Sequence, residues 1–126
     1  MGSEKKKKSE SETPRKMSGG KLSSDELMRE FLLGFIKIHI LHHAAKEPVY
    51  GQEFHNELER HGYRLSFGTI YPVFHKLEKK GYLRSEKVNS GGRIRKYYTI
   101  TAQGGKALKE AKARAAELVD ELYEDE

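Results

Sequence analysis

Two strand-like runs, YLRSEKV (82–88) and RIRKYYTI (93–100), flank the tetrapeptide Asn89-Ser90-Gly91-Gly92. Glycines set between alternating apolar and polar positions are a strong hairpin signal, because a short turn between twisted strands needs residues that accept positive φ. On the second run Ile94, Tyr98 and Ile100 share one face with Lys96, and Arg93, Arg95, Tyr97 and Thr99 share the other. The segments on either side carry helical periodicity, so the chain is predicted to be mainly α with one small β-hairpin. Its 126 residues leave room for a single core.

The first helix opens at SSDEL, where Ser23 and Glu26 have the spacing of a capping box and Asp25 suits the positive helix end. It should run to about Lys46, because Glu47 precedes a proline. Leu27, Phe31, Phe35, Ile38, Leu41 and Ala45 form one stripe, and Leu32, Ile36 and Ile40 a second. A helix apolar on more than one face is buried on more than one side; in a chain this short the extra face needs another subunit or a ligand. A second helix is predicted from Gly51 to His61, with Phe54 and Leu58 facing inward and Gly62 ending it.

The third helix lies in GTIYPVFHKLEKKGYL (68–83), with Ile70, Phe74 and Leu77 as its buried stripe, Val73 beside them and Gly81 as its stop. Proline lacks an amide N–H and is tolerated in a helix's first turn. Pro72 therefore sets the predicted start near Thr69, with Thr69 or Ser66 as the cap. Hydroxyls and free N–H donors then gather at that end, an arrangement suited to phosphate. The last helix should run from Thr101 to about Tyr123, with Leu108, Ala111, Ala115, Leu118 and Leu122 in a heptad-like seam. A seam this short must pack on something already folded. Either a partner chain's first helix or the chain's own domain would serve.

Several classes are excluded. The densest apolar run, Phe31–Leu41, falls short of the roughly 18–20 residues of a membrane span and is interrupted by Lys37 and His39. The N-terminal lysines have no apolar segment behind them and do not read as a secretory signal. No cysteine is present, which removes disulfides and thiolate metal sites. A cytoplasmic protein without a membrane partner is the expectation. His39, His42 and His43 have i, i+3 and i+4 spacing but no HExxH glutamate, so no metal is predicted. Neither Gly-x-Ser-x-Gly, a phosphate loop nor paired carboxylates appear, so no enzyme and no cofactor are predicted.

Charge is unevenly spread. Residues 1–21 hold seven Lys/Arg against three Glu and residues 50–101 hold ten against five, whereas residues 22–49 and 102–126 are net acidic by one and by three. A clustered basic excess is the footprint of a polyanion partner, although many basic faces bind nothing. The run Lys5–Lys8 could touch phosphates or be a solvated tail.

Helix, helix, turn, helix and a basic-tipped ribbon is the order of a winged helix-turn-helix. Residues 1–22 are read as a disordered basic tail, 23–101 as the DNA-binding domain and 102–126 as a C-terminal dimerisation helix. The expected partner is double-stranded DNA. The predicted contacts are Ser66, Thr69, Tyr71, His75, Lys76 and Lys79 on the third helix, with Arg93, Arg95 and Lys96 on the wing. Tyr71 borders the buried stripe, so a core-edge role competes. Lys79 and Lys80 could be merely solvated, and Lys96 alternates to the other face. Tyr97 and Tyr98 are read as structural. Phe31, Phe35, Leu108, Ala111, Ala115, Leu118 and Leu122 are the predicted homodimer interface. A winged-helix protein-interaction module that does not read DNA sequence is the rival.

The stretch GTIYPVFHKLEKKGYL, followed by GGRIRKYYTITAQGGKAL, resembles the PadR family of transcriptional regulators, and VYGQEF (49–54) is similar to the family's Tyr-Gly opening of the second helix. The resemblance spans about residues 24–122. Phe74 stands where leucine is more usual, and Gly105 makes a Gly-Gly where one glycine is typical. The resemblance implies a homodimeric repressor whose last helix packs on the partner's first helix. It further implies a near-palindromic operator and release by a small effector, often aromatic or drug-like.

Overall fold

The computed structural model describes residues 23–124. The predicted basic tail lies outside the described residues. So does the side chain of Ser23, and with it the predicted capping box. The elements are α1 (Ser23–Lys46), α2 (Gly51–Arg60), α3 (Phe67–Lys79), β1 (Leu83–Ser90), β2 (Arg93–Ile100) and α4 (Ala102–Leu122). Among the described residues no helix is long and apolar enough to cross a membrane.

The core forms where the apolar stripes meet. Ile36, Ile40 and Leu41 of α1, Phe54 and Leu58 of α2, and Ile70, Val73, Phe74 and Leu77 of α3 are buried together with Leu83 and Tyr98 of the hairpin. Phe74 is central. Its ring meets Phe54 edge-on at 5.7 Å and Tyr98 at 4.7 Å, and burying such a side chain contributes about 1.5–3 kcal/mol. Phenylalanine here fills the core without touching the outer face of α3. Burial pushes the Tyr98 phenol above its ordinary pKa, so the ring stays neutral, with Lys96 acting in the opposite sense.

The hairpin turn is tighter than the sequence suggested. Gly91 and Gly92 alone form it, at φ of 61° and 79°, the left-handed values that both central residues of a type I′ turn require. Asn89 and Ser90 therefore remain in the antiparallel ladder, opposite Ile94 and Arg93. A third edge joins this ribbon from the α1–α2 linker: Val49 and Tyr98 exchange backbone hydrogen bonds of 2.9 and 2.7 Å.

The end of α3 is fastened to the start of α4. Thr101 caps α4 by accepting from the Gly104 N–H at 3.0 Å, and its hydroxyl donates to the Gly81 carbonyl at 2.6 Å. The Thr101 N–H donates to the Tyr82 carbonyl at 3.2 Å, and Gln103 Nε2 to the Lys80 carbonyl at the same distance. The helix approaches so closely that a Cβ on Gly104 would collide with the Tyr82 carbonyl oxygen, whereas one on Gly105 would meet nothing. Of the Gly-Gly pair, Gly104 is thus the one that the packing requires.

The seam of α4 divides. Leu108 belongs to the chain's own core and Ala111 is half-buried, but Ala115, Leu118 and Leu122 are exposed, as are Val119 and Tyr123. At the other end of the chain Leu27, Met28 and Phe31 of α1 are also exposed, while Phe35 is half-buried against His39 and Tyr63. One apolar stripe of each terminal helix is therefore left open within a single chain.

Candidate nucleic-acid interface

Helix α3 has two faces. Ile70, Val73, Phe74 and Leu77 are buried, while Gly68, Tyr71, Pro72, His75, Lys76 and Lys79 are exposed at three- and four-residue steps along the opposite side. His75, Lys76 and Lys79 make no ion pair with a described residue. The only acid of α3, Glu78, is occupied: Ser85 Oγ donates to its Oε2 at 2.6 Å and Lys96 Nζ lies 3.6 Å from its Oε1. The outer face is thereby left with positive and neutral groups only.

The start of α3 differs from the sequence expectation. The helix begins at Phe67, with Ser66 at the N-cap, so Pro72 sits in its second turn rather than its first. Pro72 cannot return an N–H to the Gly68 carbonyl, and both residues lie on the exposed side. Ser66 makes no side-chain cap bond; its Oγ lies 3.3 Å from Thr69 Oγ1. Two hydroxyls and the first N–H groups of the helix are gathered there.

Tyr71 combines the two roles weighed for it. It is 45% exposed, yet its ring lies against Gly51, where any Cβ would overlap it. It also packs on Phe67 at 5.3 Å, and Phe67 stacks on His55 at 4.3 Å. The glycine that opens α2 thus makes room for the tyrosine of α3. Sequence reasoning missed His55 and Phe67; the Tyr-Gly pair at 50–51 was the available signal that a bulky group passes close to α2.

The wing distributes its cations by strand parity. Arg93 is exposed beside the turn. Arg95 is half-buried, with its guanidinium carbon 4.7 Å from the centre of the Tyr50 ring, and Tyr50 meets Tyr97 edge-on at 5.1 Å. Lys96 turns to the inner side, against Glu78 and 5.5 Å over the Tyr98 ring. The structure thus brings Ser66, Thr69, Tyr71, His75, Lys76 and Lys79 together on α3 and sets Arg93 and Arg95 on the wing. Lys96 is tied instead to the α3–wing junction.

The three α1 histidines form an aromatic row: His39 meets Phe35 at 4.5 Å and His43 at 6.2 Å, and His42 meets His43 at 5.3 Å. Burial first, then neighbouring cations and imidazoles, hold all three pKa values below the ordinary imidazole value. Among the described residues no group of three or more His, Asp or Glu side chains could hold a metal ion. An open cavity of about 460 Å³ lies between the last turn of α1, the linker and α2, lined by His43, Lys46, Tyr50, Glu53, Phe54 and Glu57 among others. It lies apart from the exposed face of α3.

Comparison with known proteins gives a consistent result. Residues 40–110 match the sequence profile described as the transcriptional regulator PadR-like family. Transcriptional regulator Rv3488 of Mycobacterium tuberculosis is 46% identical over 95 residues, covering 75% of this chain and 89% of the relative. The crystal structure of a PadR-like transcription factor from Bacteroides fragilis is 27% identical, with a TM-score of 0.69 over 80% of this chain and 99% of that one. That of a PadR-like transcriptional regulator from Bacillus cereus is 33% identical, with a TM-score of 0.63 over 74% and 95%.

Proposed function

The chain belongs to the PadR-like family of transcriptional regulators, and from that premise we propose that it is a homodimeric, sequence-specific DNA-binding repressor. It acts in the cytoplasm, without catalysis, and is released from its operator by a small aromatic or drug-like effector. The observation that carries the DNA reading is the division of α3. One side is wholly committed to the core, and the other offers His75, Lys76 and Lys79 at helical spacing behind a hydroxyl-rich N-terminus. A helix anchored in this way can enter a major groove about 12 Å wide with its N-terminal end toward the bases. Thr69, Tyr71, His75 and Lys76 are the proposed base-edge or phosphate contacts, and Arg93 and Arg95 the proposed flanking contacts. Lys96 is given a supporting role through Glu78.

Two copies are needed because one recognition helix reads only a few base pairs. The open stripes of α1 (Leu27, Met28, Phe31) and α4 (Leu118, Val119, Leu122) support a dimer in which each α4 packs on the partner's α1. Mobility shifts on genomic fragments at two salt concentrations, with unrelated DNA as competitor, test the proposal. Competitor-resistant binding to one fragment is the expected result, and uniform, salt-labile binding to all fragments contradicts it.

A further inference from the structure

Tyr50 lies one residue beyond Val49, whose backbone pairs with Tyr98. In an antiparallel ladder, partners share a face and neighbours alternate. Tyr50 therefore falls on the face of Tyr97, and so of Arg95 two residues earlier, which is opposite to the buried face of Tyr98. The contacts agree: Tyr50 meets Tyr97 at 5.1 Å and carries the Arg95 guanidinium over its ring at 4.7 Å. We propose that Tyr50 is a positioning residue for DNA binding, holding the Arg95 guanidinium by its face so that its edge is presented to the phosphate backbone.

The chemistry is specific to arginine. A guanidinium stacked on an aromatic ring uses its face, while its five N–H donors radiate in the plane and stay available for paired bonds to phosphate oxygens. The long side chain would otherwise lose rotamer freedom on binding DNA; the stack imposes that order beforehand. Arg93 provides the contrast: it is exposed beside the turn, with no aromatic ring among the described residues beneath it. Arg93 supplies exposed charge, and Arg95 supplies a fork held against Tyr50. The backbone pairing of Val49 makes the α1–α2 linker part of the wing, so its aromatic residue supports a wing contact from outside the hairpin.

This inference rests on the DNA-reading proposal, and its test separates the two. The full chain and the variants Tyr50→Phe, Tyr50→Leu, Arg95→Lys, Arg95→Ala and Tyr50→Leu/Arg95→Ala are titrated against a duplex selected by the wild type from a random library, at several salt concentrations. Thermal unfolding is followed in parallel. Tyr50→Phe should bind like the wild type, because the ring face is retained. Tyr50→Leu should weaken binding about two- to five-fold, the scale of one exposed cation–π contact. The same leucine should cost nothing further in the Arg95→Ala background. Arg95→Lys, which keeps the charge and does not depend on Tyr50→Leu folding well, should lose as much as Tyr50→Leu. The inference is overturned if the Tyr50→Leu and Arg95→Ala losses add, if Tyr50→Phe is as weak as Tyr50→Leu, or if Arg95→Lys binds like the wild type. A wild type that selects no duplex overturns the DNA reading itself, and this inference with it.

Discussion

Two neighbouring glycines should respond in opposite directions to the same substitution. Gly104 is the third residue of α4, and its N–H donates to the Thr101 cap at 3.0 Å. A methyl group there would strike the Tyr82 carbonyl oxygen and press on Ile100 Cγ1, at 2.8 Å. The helix end must then shift, at an overpacking cost of about 1–3 kcal/mol, with up to about 1 kcal/mol more if the cap bond is lost. Gly105 has open space, so alanine there removes backbone freedom from the unfolded chain and favours helix by about 0.4–1 kcal/mol. Gly104 lies in the same helix and shares that gain, so the two variants should differ by the overpacking and cap terms alone, about 1–4 kcal/mol. In a domain of this size each kcal/mol moves Tm by about 4–8 °C. Thermal unfolding followed by circular dichroism, with all proteins at one concentration because the midpoint of any associating protein depends on it, should place Gly104→Ala below the wild type and Gly105→Ala slightly above it. Equal shifts in the same direction would refute the close approach of α4 to the β1 entry.

Lys76→Ala should weaken operator binding and reduce the slope of log affinity against log salt by about 0.9 if the ammonium meets a phosphate, read by fluorescence anisotropy across a salt series. Leu122→Glu, at a position 63% exposed in the single chain, should shift the protein from dimer to monomer in sedimentation equilibrium while leaving the far-ultraviolet spectrum of the core intact. The α1 histidines predict acid sensitivity. Their pKa values are depressed on folding, so the stability they contribute is complete above about pH 6.5 and is lost as pH falls through the folded values. Lys46 and His61 deepen this for His43, while Glu53 and Glu47 moderate it. Tm should fall between pH 7.5 and 5.5, before most carboxylates titrate, and His39→Gln should fall less; a flat profile contradicts the depression.

Features that depend on local spacing were legible in the sequence. The period of Ile70, Phe74 and Leu77 identified the inner face of α3, and with it the outward direction of His75, Lys76 and Lys79. The glycines at 91 and 92 announced the hairpin. What escaped was decided by contacts between distant segments. A single backbone pair, Val49 with Tyr98, leaves no periodicity to detect, yet it fixes where Tyr50 and Arg95 meet. Strand alternation sets Lys96 on the face opposite Arg93 and Arg95, but it does not disclose that Glu78 of α3 lies beside it there. A first-turn Pro72 places the start of α3 near Thr69, two residues later than the Phe67 found; the proline is accommodated in the second turn, on the exposed side of the helix away from the packed core. Heptad spacing likewise treats Leu108 and Leu118 alike, although one is in the core and the other in the open.

Selection of bound duplexes from a random library by the full-length protein, followed by footprinting of the enriched sequence, tests the central claim most directly. A dimer presenting two α3 helices should enrich a two-fold-symmetric motif with half-site centres about one helical turn, roughly 34–36 Å, apart. Enrichment of no motif, or of a single asymmetric half-site protected by one chain, would contradict it.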